Sequence, residues 1–153
     1  MKRLLLSLAL GALSIAASHA QTIDVIPAAS RAAVRGATEN FTGTAIVEML
    51  FVALPQTRAG AAQVTFAPGG RTVWHRHPAG QNLLVTTGSG WIQEWNGQKR
   101  KIAAGDVVWT PPGVKHWHGA TPTTVMTHVA IQETVDGKNV EWLEAVTEAP
   151  YHR

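Results

Sequence analysis

The chain has 153 residues, 45% of them hydrophobic, with no cysteine and a formal net charge of +3. That length suits one domain with a substantial core rather than two, and the missing cysteines exclude disulfides, thiolate metal sites and thiol nucleophiles. Without Lys2 and Arg3, which lie in a leader-like start, 11 basic residues face 10 acidic ones; the short run Lys99-Arg100-Lys101 reads as a solvated strand or turn, so no nucleic-acid partner is expected.

Residues 1–20 open with basic Lys2-Arg3 and continue through an apolar run from Leu4 to Ala17. Ser18 and Ala20 supply the small residues of an export cleavage site before Gln21. The apolar run is shorter than the roughly 20 residues of a spanning helix. A cleaved signal peptide, a periplasmic or secreted mature chain and no stable membrane insertion are therefore expected. Residues 21–42 read as an N-terminal arm, with a short helix expected over Ala28 to Ala37. Residues 43–148 read as the main domain.

Gly43 to Phe51 is apolar with β-branched residues, as a strand is. Ala62 to Phe66 predicts another, ended by the turn Pro68-Gly69-Gly70. His75 and His77 follow, one residue apart, with Gln81 four residues on. On a strand, positions i and i+2 share a face, so the two imidazoles can converge on a metal; two exposed surface histidines are the plainer alternative. Asn82 to Thr87 predicts a strand ended by Gly88-Ser89-Gly90. Trp91 to Trp95 alternates into Asn96-Gly97, a strong hairpin signal, with Lys99 to Ala103 returning. Val107 to Thr110, Val114 to Gly119 and Thr124 to Thr134 continue the series. Asp136-Gly137 marks a further hairpin, and Val140 to Val146 closes the domain.

Short strands at regular spacing with Gly and Pro turns predict an all-β sandwich or barrel. Six tryptophans suggest a partly aromatic interior. His116 and His118 repeat the i, i+2 pattern, and His128 stands in the long apolar strand. Five of the six histidines after the leader thus fall in strand-like stretches, which a shared site explains better than five separate hydrogen-bonded imidazoles.

Two motifs now carry a family resemblance. Gly69, His75, His77, Gln81 and Gly88 resemble the first motif of the cupins, and Gly105, Pro111, Gly113 and His116 the second. The resemblance implies a double-stranded β-helix, or jelly-roll barrel, with His75, His77, Gln81 and His116 as metal ligands. Two positions depart from the family pattern: Gln81 replaces the usual Glu, and Ala120 the usual Asn. Three imidazoles and one amide leave no protein anion on the metal, which weakens binding and leaves the ion more electrophilic. Nitrogen and oxygen donors suit one divalent Mn, Fe, Co, Ni or Zn per chain.

The runs Thr72-Val73-Trp74-His75, Gly105-Asp106-Val107-Val108-Trp109, Lys115-His116-Trp117-His118-Gly119-Ala120 and Met126-Thr127-His128 resemble a small group of single-domain bacterial cupins. That group includes manganese-dependent (R)-selective hydroxynitrile lyases. The resemblance implies manganese first and a pocket lined by Thr72, His118, His128 and Gln132, with Ala62 and Val64. The expected activity is carbon–carbon cleavage of small aromatic cyanohydrins, with His118 or His128 as base. An iron-dependent dioxygenase and a non-catalytic small-molecule-binding cupin are the alternatives. A homo-oligomer is also expected.

Overall fold

The computed structural model describes residues 22–148 and Tyr151. The leader and its cleavage site lie outside the described residues. Among the described residues, twelve strands follow a 3-10 turn at Ala28–Ser30. They are β1 (Ala33–Arg35), β2 (Phe41–Thr42), β3 (Ala45–Phe51), β4 (Ala59–Phe66), β5 (Arg71–Thr72) and β6 (His75–Arg76). After these come β7 (Gln81–Glu94), β8 (Arg100–Ala103), β9 (Val107–Thr110), β10 (His116–Ala120), β11 (Met126–Glu133) and β12 (Glu141–Trp142). Among the described residues no helix is long and apolar enough to cross a membrane.

All pairings between these strands are antiparallel, in two sheets rolled over one interior. The first runs β1-β3-β4-β11-β7-β9. The second runs β2-β5-β10-β7-β8, with β6 also against β10 and β12 outside β6. Strand β7 belongs to both. The interior between the sheets is filled by Phe66, Leu83, Val85, Ile92, Met126 and their neighbours. A second apolar cluster, Trp74, Trp117, Val146 and Tyr151, packs separately. This is the all-β barrel expected.

Burial along β7 shows how one strand serves two sheets. Gln81, Leu83 and Val85 are buried, and then the phase changes, so that Gly90 and Ile92 are buried instead. The shift coincides with an irregular register against β11, where Thr127 pairs Thr87 but His128 pairs Val85. One extra residue turns every later side chain to the other face. Gly88 completes the bend: its φ is +73°, and a Cβ there would lie 2.0 Å from the Val125 carbonyl oxygen. Gly88-Ser89-Gly90 is therefore a bend inside one 14-residue strand, not the end of one.

Two other expectations change. Of the short helix expected over 28–37 only the 3-10 turn Ala28–Ser30 forms; after it, β1 adds to the edge of β3, because pairing main-chain groups outweighs the weak apolar pattern of that stretch. The closing strand over 140–146 is regular only at β12. Beyond it the chain still bonds Trp74 from both sides, through Leu143 N–H to its carbonyl and Glu144 C=O from its N–H. Asp136 and Gly137 do make a tight turn, both with positive φ, but its outgoing strand pairs β6 rather than β11.

Candidate metal centre

Strand register brings the histidines together. His75 of β6 stands opposite His116 of β10, and their ring centroids lie 4.2 Å apart. His77 follows β6, its ring 5.1 Å from that of His75 and 5.6 Å from that of His116. Gln81 opens β7 between Gln132 of β11 and Thr110 of β9. Its Oε1 lies 3.3 Å from His116 Nε2. His118 shares the strand of His116, and the ligand atoms of His75, His116 and His118 all fall within 4.8 Å of one another. All five imidazoles, with His128, and the Gln81 amide are buried.

Main-chain carbonyls decide which nitrogen of each ring is left free. His75 Nδ1–H donates to Val73 O at 3.0 Å, His77 Nδ1–H to Asn139 O at 2.6 Å and His116 Nδ1–H to Val114 O at 2.9 Å. The proton is thereby held on Nδ1, and Nε2 keeps its lone pair, as metal-bound histidines require. His77 Nε2 is buried with no hydrogen-bond partner among the described residues. Gln81 Nε2–H points to Gln132 Oε1 at 3.5 Å, which turns Oε1 toward His116. Two acceptors, Gln81 Oε1 and His116 Nε2, then face each other at 3.3 Å. Lone pairs held that close repel unless a cation lies between them, so this donor set fits a divalent transition metal.

The site is electrically neutral at neutral pH. Burial holds His75 well below the ordinary imidazole range, helped by repulsion from His116 and His77. Burial lowers His77 against the opposing Asn139 carbonyl. It brings His116 and His128 down to about 4, and it keeps His118 well below the usual value, with His128 adding to the effect. Removing an imidazolium from water is costly, so all five stay uncharged.

Behind this cluster His118 and His128 form a pair. His128 Nε2 and His118 Nδ1 are 3.2 Å apart. Among the described residues His118 Nε2 is buried without a hydrogen-bond partner, and His128 Nδ1 meets nothing beyond its own main chain. A proton on His128 Nδ1 leaves its Nε2 to accept from His118 Nδ1–H, and His118 Nε2 then carries a lone pair. Thr72, 2% exposed, accepts the His118 main-chain N–H at 3.2 Å. Val64 pairs His128 across the strands and Ala62 pairs Ala130, so both share its inward face.

Sequence reasoning missed the strap that backs this cluster. Asn139 orients His77, Glu141 clasps Arg76 through two hydrogen bonds at 2.8 and 2.9 Å, and the Trp142 ring lies 5.0 Å from that of His75. The Asp136-Gly137 turn was visible, but nothing local shows that its outgoing strand joins β6.

Comparison with known proteins agrees with this architecture. A cupin domain model matches residues 62–131. A protein of Granulicella tundricola named (R)-mandelonitrile lyase is 53% identical over 124 residues, covering 81% of this chain and 95% of that one. A cupin-like protein of Thermotoga maritima superposes with a TM-score of 0.73 at 42% identity, over 76% of this chain and 89% of the other. A polyketide cyclase of Streptomyces resistomycificus, at 19% identity and a TM-score of 0.61 over 85% of this chain and 91% of its own, shares the fold alone. With its rolled antiparallel barrel and histidine cluster, the chain belongs to the cupin family and resembles the mandelonitrile lyase within it.

Proposed function

We propose that this chain is a metal-dependent lyase that opens small aromatic cyanohydrins into an aldehyde and hydrogen cyanide. His75, His77, Gln81 and His116 hold one divalent metal, manganese before Fe, Co, Ni or Zn, and His118 with His128 moves the proton. The observation that carries the reading is the pair of facing acceptors on Gln81 and His116, supported by a 53% identical relative named as a lyase. The metal, when bound, supplies Lewis-acid polarisation of the substrate hydroxyl.

The protein's own part is acid–base work. His118 Nε2 takes the hydroxyl proton as the carbonyl forms. The carbon–carbon bonding pair leaves with cyanide. His118 passes charge through Nδ1–H to His128, so neither ring bears the whole positive charge. Because burial keeps both rings weakly basic, the proton returns readily to cyanide, the stronger base. Thr72 holds the main chain of His118 in place. Gln132 holds the Gln81 amide so that its oxygen faces inward.

His118 has a second possible duty, because it lies with His75 and His116 in one triad of ligand atoms. His118→Ala separates the two duties: a base variant keeps the metal and loses turnover, whereas a ligand variant loses both. The first experiment is elemental analysis of the purified protein beside a Gln81→Ala/His116→Ala variant. About one transition metal per chain is expected in the parent and little in the variant. Manganese with cleavage of (R)-mandelonitrile supports the lyase. Iron with oxygen uptake and no cleavage would replace it with the dioxygenase. The expected export to the periplasm belongs to this proposal too, and N-terminal sequencing of secreted protein, starting at Gln21, checks it.

A further inference from the structure

We propose that Lys115 is a positioning residue for the metal centre: clamped against Trp74 and Trp95 on the outer face of the second sheet, it holds the ligands His75 and His116 in register on the inner face. This rests on the metal-centre reading above but not on any substrate.

The first argument is how little the strands themselves fix that register. Strand β6 has two residues, and among the described residues it pairs β10 only where His75 meets His116. Each of these ligands is oriented by a carbonyl two residues back, Val73 O and Val114 O. The residue between ligand and carbonyl is Trp74 in one segment and Lys115 in the other. Successive side chains of an extended chain alternate in face, so both point away from the imidazoles. Trp74 accordingly packs in the second apolar cluster, with Trp117, rather than in the interior.

The second argument is what Lys115 touches. Its Nζ lies 3.4 Å from the centre of the Trp95 ring and 5.6 Å from that of Trp74, and the two rings meet edge to face at 4.9 Å. The electron-rich face of an indole attracts a cation. Glu144, just past β12, pairs with the same ammonium, and its main-chain carbonyl accepts the Trp74 N–H at 2.9 Å. Trp95 N–H in turn donates to the Lys115 carbonyl at 2.8 Å. One side chain thus joins the approaches to β6 and β10, the end of β7 and the strap, directly behind the two ligands.

The test titrates manganese(II) into the full chain after metal removal, against a competing metallochromic dye, and records the visible spectrum of the cobalt(II) form. Lys115→Met keeps the stem and drops the charge. It is expected to weaken manganese binding at least about tenfold, the scale on which a metal ligand loses its support, and to shift the cobalt bands. Lys115→Arg can keep the ring contacts and the pair with Glu144, and is expected to restore most of the affinity. In a Trp95→Leu background the loss caused by Lys115→Met should shrink, because the clamp is already open. Lys115 and Trp95 are both partly exposed, so folding is not at stake. The sign separates positioning from charge, since removing a nearby cation would by repulsion alone tighten the hold on a metal ion. Manganese held as tightly by Lys115→Met as by the parent, or an arginine variant no better than the methionine one, would overturn the proposal. A parent that binds neither ion would sink the metal-centre reading and the clamp with it; a parent that binds both, with unchanged variants, sinks the clamp alone.

Discussion

Gln81 decides the electrical character of the centre. As an amide it offers an oxygen without charge, steered by Gln132 toward His116. Gln81→Glu adds the anion the site lacks. Competition with a metallochromic dye should then show manganese held at least about tenfold more tightly, while mandelonitrile cleavage slows, because a compensated ion polarises the hydroxyl less. A variant with tighter metal and unchanged turnover would detach Lewis acidity from the rate. The imidazoles fix a pH dependence as well. The folded pKa of His128 lies at about 4, below the ordinary 6.5, so the unfolded chain binds more protons between those values. Stability of the metal-free protein is therefore complete above pH 6.5 and falls as pH drops toward 4, by roughly 3 kcal/mol for His128 alone. Urea midpoints measured across that window check the sign; a midpoint that rises on acidification would refute it.

At the scale of elements, β7 is the strand that ties the barrel together. Ala at position 88 would meet both a positive φ and the Val125 carbonyl. Gly88→Ala should cost about 2 kcal/mol or more and lower the melting temperature by roughly 5 °C or more; a calorimetric scan that leaves it unmoved would remove Gly88 from this role. The same strand shows what sequence can and cannot disclose. The run 82–87 and the alternation over 91–95 marked strands, and the Asn96-Gly97 turn marked the return into β8. Glycines at 88 and 90 looked like a stop because a bend within a strand and a turn between strands both call for positive φ. Only the partner strands, β11 then β10, distinguish them. The histidine cluster was legible for the opposite reason: period-two spacing fixes a shared face before any partner is known. Asn139 and Trp142 were not, because their place depends on which strand β12 joins.

For the whole molecule, β1 ends the first sheet beside β3. Val34 is 56% exposed, Met49 45% and Ile23 95%. Val34, Val47, Met49 and Phe51 line an open apolar groove there. So much exposed apolar surface at a strand edge unpaired among the described residues predicts a homo-oligomer. Sedimentation velocity should show a species larger than the 16.4 kDa chain, and Val34→Lys with Met49→Lys should return it to the monomer. A parent chain that sediments as a monomer at micromolar concentration would dismiss the prediction.

The change of phase along β7 also limits how this chain can vary in length. Between Gln81 and Gly88 the first sheet reads odd positions inward, and beyond Gly88 the second reads even ones. A single residue gained or lost inside 82–87 would swing Gln81 out of the interior while leaving Ile92 where it is. Side chains in that interval can be exchanged one for another, but their number cannot, and tolerance to insertion should begin only in the turn past Trp95.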